Sequence, residues 1–262
     1  MMETNKQGRL MVITGASSGL GEACALYFAK QGWIVCALAR NKEKLKRLAE
    51  KENTIFSYPT DVSIAKQVKE SFAAIECEHG VIDVLINNAG YFGKGELIGE
   101  SDIDAIDSVI DTNLKGAMYC VYAATPSMIE RRNGQIINIS SIGGIPGISV
   151  ACPYGEEQHL FAGPPEGKVA MAPYGISKHG MTAMEDSLGR QLMKFDIRMT
   201  TLCPGGIETP LWEGDDGVNN YPTPGVKLME PMELVNLIEF ILKQPRHTLY
   251  KQITLFPTCE WK

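Results

Sequence analysis

Between residue 10 and residue 255 the chain alternates short apolar runs with longer segments of helical periodicity, and this alternation leaves few architectures open. The runs fall near 10–14, 33–38, 54–58, 83–87, 135–140, 197–202 and 252–255. Helical spacing falls near 20–31, 64–78, 102–131, 174–194 and 231–243, with a weaker segment near 42–51. Leu-Met-Val-Ile at 10–13 and Val-Leu-Ile at 84–86 are apolar without a break, as strands covered on both faces require. The pattern therefore predicts an α/β chain whose parallel sheet of about seven strands is doubly wound, with helices on both faces. A length of 262 residues suits one such unit, so residues 1–262 are expected to form a single domain with no separate substrate domain.

Composition narrows function mainly by exclusion. A hydrophobic fraction of 44% and a charged fraction of 21% describe an ordinary soluble globular protein. A formal charge of −6, with no basic run beyond Lys42, Lys44, Lys46 and Arg47, argues against a nucleic-acid or anionic-membrane partner. That small basic cluster reads as the solvated face of a helix. The seven cysteines have no CxxC spacing, so no disulfide framework and no metal site is expected. The amino-terminal residues carry no apolar signal region, and no window is apolar enough to span a bilayer, so the expected location is cytoplasmic.

The first run leads into Thr14-Gly15-Ala16-Ser17-Ser18-Gly19-Leu20-Gly21 and then a helix. Glycines at a strand-to-helix turn let the backbone approach a pyrophosphate, which then lies at the positive end of the helix. A plain tight turn is the simpler alternative, and its position after the first strand weighs against it. An NAD site would carry an acidic residue at the end of the second strand, to hold the ribose 2′-hydroxyl. Here that place reads Leu38-Ala39-Arg40-Asn41. A guanidinium can pair with a 2′-phosphate, so NADP(H) is expected in preference to NAD(H).

Three further segments follow in order: Asn87-Asn88-Ala89-Gly90, then Asn113 within Thr112-Asn113-Leu114-Lys115-Gly116, then Ser140-Ser141. Tyr174-Gly-Ile-Ser-Lys178 closes the series on a helix. Tyr and Lys at i and i+4 share one helix face. A unit charge about 5 Å away at an effective dielectric near 20 contributes roughly 3 kcal/mol, about two pKa units, which would bring the Tyr174 phenol toward a useful range for acid–base work.

Together these segments resemble the short-chain dehydrogenase/reductase family, whose TGxxxGxG, NNAG, Asn, Ser and YxxxK elements all have counterparts here, over nearly the whole chain. The resemblance implies a Rossmann-like fold and a hydride exchanged between NADP(H) and an alcohol or carbonyl carbon of a small-molecule substrate. Tyr174 would move the proton, Lys178 would also bond the nicotinamide ribose, Ser141 would bond the substrate oxygen, and Asn113 would support a water-linked proton path. Cofactor contacts are implied for Gly15, Ser17, Ser18, Gly19, Leu20, Arg40, Asp61, Val62, Asn88, Ala89, Gly90, Tyr174 and Lys178. In Pro204-Gly205-Gly206-Ile207-Glu208-Thr209 they are implied for Pro204, Gly205, Ile207 and Thr209. Ser141 rather than Ser140 takes the substrate role because Ser141-Ile-Gly-Gly aligns with the family's Ser-x-x-Gly, and adjacent strand residues face opposite ways. A homodimer or homotetramer is expected on the same basis. The rival reading is a non-catalytic NADP(H)-binding interaction protein, which would predict damage to the four catalytic positions.

The chain departs from the family at one place. Ser141 and Tyr174 stand 33 positions apart, where the family has about a dozen. Tyr154 has the ordinary spacing, but Gln158 follows it at i+4 and carries no charge. Residues near 150–170 therefore read as an inserted loop, either a lid or a solvated excursion, with Glu156, Glu157 and His159 as its ionisable members. The stretch near 205–230 reads as a variable substrate loop, with Leu211 and Trp212 serving either as an apolar wall or as packing onto the core.

Overall fold

The computed structural model describes residues 8–92, 103–146, 171–212 and 227–258. Seven parallel strands form one sheet in the order β3-β2-β1-β4-β5-β6-β7. They are β1 (Leu10–Thr14), β2 (Ile34–Ala39), β3 (Ile55–Pro59), β4 (Val84–Asn87), β5 (Gly134–Ile139), β6 (Ile197–Pro204) and β7 (Gln252–Leu255). The helices are α1 (Gly19–Lys30), α2 (Lys42–Ala49), α3 (Ala65–His79), α4 (Ile103–Ile110), α5 (Ala117–Glu130), α6 (Met171–Met184), α7 (Arg190–Leu192) and α8 (Pro231–Lys243). Every strand lies within a residue or two of its sequence expectation; β1, β2, β4, β5 and β6 are buried along nearly their whole length, as parallel strands covered on both faces are, while the edge strands β3 and β7 are partly exposed.

Alternate residues of the sheet feed two cores. Met11, Ile13, Val35 and Ala37 pack with Cys24 and Phe28 of α1, Leu45 and Leu48 of α2, and Leu234 and Ile238 of α8. On the other face, Leu10, Val12, Cys36 and Leu38 pack with Val68 and Phe72 of α3, Cys120 and Val121 of α5, and Met181 and Met184 of α6. This is the Rossmann-like, doubly wound arrangement anticipated from the sequence. Local signals fix several helix starts. Asn41 accepts from the Lys44 N–H at 2.9 Å and so caps α2. Glu230 and Glu233 form a reciprocal capping box ahead of α8, with Pro231 in its first turn.

Two helical segments differ from the sequence expectation. The span 102–131 is not one regular helix, because a π-turn over Asp111–Gly116 separates α4 from α5. Tyr174 does not open its helix either. α6 starts at Met171, and Pro173 is accommodated in the first turn, where its missing N–H would have no helical partner. The expected insertion at 150–170, with Tyr154, Glu156, Glu157 and His159, lies outside the described residues, as does 213–226 of the variable loop.

The strand order reverses between β1 and β4. In an open parallel sheet the crossover connections diverge at that point and leave a crevice beyond the carboxyl ends of the strands. A cleft of about 450 Å³ occupies this place, lined by the turns that follow β1, β2, β3, β4, β5 and β6.

Candidate active site

One end of the cleft is the turn after β1. Gly15 and Gly19 have φ of 67° and 55°, values that favour glycine. A Cβ on Gly15 would lie 2.8 Å from the Ala89 Cα, and one on Gly19 would lie 3.1 Å from the Thr209 Cβ. A Cβ on Gly21 would overlap the Gly15 carbonyl oxygen, so this third glycine lets α1 close against the turn. The turn is held by the segment after β4. Thr14 Oγ1 accepts from the Asn88 and Ala89 N–H groups at 3.0 Å each, and Asn88 Nδ2 donates to the carbonyls of Thr14 and Gly15 at 3.0 and 3.3 Å. Side-chain capping is absent at Ser18, so the first N–H groups of α1 stay available at the cleft.

Ser17, Ser18, Leu20, Arg40, Asp61, Val62, Asn88, Ala89, Gly90, Pro204, Gly205, Ile207 and Thr209 all line the same cleft, together with Gly15 and Gly19. Arg40 is exposed there and forms no ion pair among the described residues. Asp61 is turned to local work as well, accepting from the Ser63 N–H at 3.0 Å and the Ser63 hydroxyl at 2.7 Å. Lys44, read from the sequence only as part of a solvated helix face, also lines the cleft beside Arg40. The available signal was its position three residues after Asn41: an N-cap at the end of β2 sends the first turn of α2 past the carboxyl edge of the sheet.

The other end of the cleft holds Ser141, Tyr174 and Lys178. Tyr174 is only 5% exposed and Lys178 only 4%. Burial pushes the Tyr174 phenol up to about 12, against the opposing effect of a hydrogen bond with Ser141. Burial also pulls the Lys178 ammonium down to about 8, with Cys203 acting the other way. The phenol shift runs opposite to the sequence expectation. The Lys178 Nζ is 5.5 Å from the Tyr174 ring centroid, but it donates to the Ile139 carbonyl at 2.8 Å, and desolvation of the phenol outweighs the neighbouring charge.

Ser140 and Ser141 face apart. Ser140 Oγ donates to the Lys178 carbonyl at 2.9 Å and so ties β5 to α6, while Ser141 Oγ accepts from the Gly143 N–H at 3.1 Å next to Tyr174. Asn113 does not reach the cleft surface. It is fully buried in the π-turn, accepts from the Tyr91 N–H at 3.0 Å, and donates to the Tyr91 carbonyl at 3.0 Å and to Ser177 Oγ at 3.1 Å. Ser177 in turn donates to the Tyr174 carbonyl at 2.6 Å. Asn113 thus braces the backbone at Tyr91 against α6, and the extra residue of the π-turn is where its side chain enters. Phe92, next along from Tyr91, packs on the Tyr174 ring with centroids 4.5 Å apart. Neither Ser177 nor Phe92 was singled out in the sequence, since an isolated Ser or Phe carries no spacing signal.

Leu211 lines the cleft, in keeping with the apolar-wall alternative for that residue, whereas the Trp212 side chain lies outside the described residues. His179 is exposed, with its ring against the Gly175 carbonyl and away from Lys178. Among the described residues no group of three or more His, Cys, Asp or Glu could hold a metal ion, and no helix is long and apolar enough to cross a membrane.

The sheet order and the glycine turn at its switch point define a dinucleotide-binding class of protein. Comparison with known proteins makes the assignment specific: the model of the short chain dehydrogenase family matches residues 9–156, and the chain belongs to that family. An uncharacterized oxidoreductase of Staphylococcus aureus (strain USA300) is 30% identical over 251 residues, covering 95% of this chain and 97% of its own. Among solved structures, the closed form of serine dehydrogenase complexed with NADP+ superposes with a TM-score of 0.80 at 26% identity over 94% of each chain. The structure of ElxO with NADP bound superposes with a TM-score of 0.79 at 25% identity, over 97% of this chain and 100% of that one.

Proposed function

We propose that this chain is an NADP(H)-dependent oxidoreductase that reduces a carbonyl group to an alcohol, with Tyr174 as the proton donor. The observation that carries the reading is the continuity of one cleft. It runs from a glycine turn and an Arg40 that forms no ion pair among the described residues to a buried phenol beside Ser141. The residues fit the cofactor, since side chains at Gly15 and Gly19 would fill the space against Ala89 and Thr209 where a pyrophosphate has to approach the backbone. NADP-bound relatives of the same fold support the same cofactor here.

In this reading Gly15, Ser17, Ser18, Gly19 and Leu20 hold the pyrophosphate at the N-terminus of α1. Arg40 pairs with the 2′-phosphate, with Lys44 beside it. Asp61 and Val62 flank the adenine, Asn88, Ala89 and Gly90 support the cofactor's middle, and Pro204, Gly205, Ile207 and Thr209 border the nicotinamide. The bound dinucleotide supplies the hydride. Ser141 orients the substrate oxygen, Tyr174 delivers a proton to it, and Lys178 bonds the nicotinamide ribose, while Asn113 keeps the Tyr91 segment in register with α6. A phenol pushed up to about 12 is protonated at neutral pH and so holds the proton that carbonyl reduction would use. A homodimer or homotetramer remains the assembly that the family resemblance implies.

The test is NADPH consumption across ketones, diketones, aldehydes and 3-oxo acyl compounds, with NADH and Tyr174→Phe as controls. Turnover that prefers NADPH and disappears in Tyr174→Phe, while the variant still binds NADPH within about twofold, is the expected result. Substantial turnover by Tyr174→Phe would remove the phenol from the chemistry.

A further inference from the structure

A second cleft, of about 270 Å³, opens at the amino-terminal edge of the sheet. Its walls come from Arg9 ahead of β1, the start of β5, Arg198 near the start of β6, and Arg246 beyond α8. Strands in a parallel sheet all begin at one edge, so this cleft is on the opposite side of the sheet from the candidate active site. We propose that it binds a small phosphate-bearing anion, with Arg9, Arg198 and Arg246 as the recognising groups.

Among the described residues none of these three guanidinium groups forms an ion pair, although the Asp83 carboxylate attracts Arg9 across the cleft. Two carboxylates line the same cleft, and both are already committed. Asp83 accepts from Arg131 Nη1 at 2.8 Å and from the Leu10 N–H at 2.7 Å, and Asp196 pairs with Arg132 at 2.9 Å. The Arg9 guanidinium makes no hydrogen bond among the described residues and is held by stacking over Trp33, 4.1 Å from the ring centroid. Arg246 uses one nitrogen on the Arg132 carbonyl at 3.1 Å. Arg198 is anchored by the carbonyls of Gln244, Pro245 and Thr248 and by Gln135 Oε1 at 2.7 Å, which fixes the floor of the cleft.

Bringing three like charges together in a chain of net charge −6 costs free energy that an anion between them would offset. Arg198 registers that crowding: burial lowers its proton affinity first, and Arg246 and Arg9 push in the same direction. A planar guanidinium offers paired N–H donors that match the oxygens of a phosphate. Three of them suit an anion carrying two or more charges better than a monocarboxylate. The volume is near the lower end of small-molecule sites, about 300 Å³, so the cleft takes a phosphate group with a small organic portion as well as a bare oxyanion.

Calorimetric titration of the full chain with inorganic phosphate, pyrophosphate and ribose 5-phosphate, in chloride buffer at constant ionic strength, tests the assignment and separates a free oxyanion from a phosphate ester. The variants are Arg246→Gln, Arg9→Gln/Arg246→Gln and, as a control for binding at the proposed 2′-phosphate end of the active-site cleft, Arg40→Ala. Native protein is expected to bind at least one probe. Arg246→Gln should weaken that binding about tenfold, the double variant should abolish the site or reduce the stoichiometry by one, and Arg40→Ala should leave the site in place. Arg246 is exposed and holds the fold by a single bond, so Arg246→Gln remains informative even if the double variant does not fold. No binding by native protein, or unchanged affinity and stoichiometry in Arg246→Gln, would overturn the proposal.

Discussion

Tyr174 and Lys178 sit one above the other on α6, and both are almost wholly withdrawn from solvent. A charged ammonium in that position costs stability, as its depressed proton affinity, about 8, records. Below about pH 8 the group is protonated in the folded and unfolded chain alike, and the whole cost is present. Between about 8 and its ordinary 10.5 the folded chain has released the proton while the unfolded chain keeps it, so native stability rises with pH. Above 10.5 both are neutral and the cost is gone. Lys178→Met lacks this gain. Its stability relative to native should therefore fall by about 3 kcal/mol between pH 7 and pH 10.5, read from urea midpoints at matched pH. A difference that stays constant with pH would show that the ammonium is not buried as charge. The sequence spacing put these two residues on one face, but it could not reveal the sign of the phenol's shift, because desolvation depends on what covers the ring. Here the cover includes Phe92, more than eighty positions away in the chain.

At the scale of elements, two joints set the cleft's shape. The first is the turn between β1 and α1. Gly21→Ala places a methyl group against the Gly15 carbonyl, which rigid backbone cannot yield without moving α1. A loss of about 1–3 kcal/mol in thermal or chemical unfolding is expected, together with weaker NADPH binding by fluorescence titration. Native-like binding would mean that the turn relaxes freely. The second joint is the π-turn. Asn113→Ala leaves the Tyr91 N–H and carbonyl without their buried partner, at a cost of about 1–3 kcal/mol. The released segment carries Phe92, so the proposed turnover should fall more than NADPH affinity does. An equal loss in both would mean that Asn113 serves only the general fold. The glycine turn was legible in the sequence because its residue types answer a purely local demand. The bracing role of Asn113 was not, since its partners belong to a loop and a helix that only the packed fold brings to it.

Across the whole molecule, Arg40 and Tyr174 stand at the two ends of one cleft because β2 and β5 carry their carboxyl ends to the same edge of the sheet. The proposed function needs that span to match the length of one dinucleotide. Arg40→Ala should accordingly raise KM for NADPH by about ten- to a hundredfold, the worth of a bidentate charge-assisted contact, and change KM for NADH little. Similar changes for both cofactors in steady-state assays would relocate the 2′-phosphate site, with Lys44 the first alternative. The arginine cleft at the opposite edge is a product of the same strand order, which gathers three guanidinium groups separated by most of the chain.

What the sequence determined by itself is whatever depends on neighbours along the chain. Strand positions followed from short apolar runs, the doubly wound architecture from their alternation with helical segments, and the strand-to-helix turn from its glycines. The helical register of Tyr174 and Lys178 followed from their spacing. Tertiary structure decided whatever depends on distance through space. It set the desolvation of the phenol and the ammonium, the different hydrogen-bond partners of Ser140 and Ser141, the use of Asn113 as a brace, and the gathering of three arginines at the amino-terminal edge of the sheet. The physical reason is that helix and strand periodicity is written in residues a few positions apart. Burial and charge pairing are set by whichever residues the crossing order of the strands brings together.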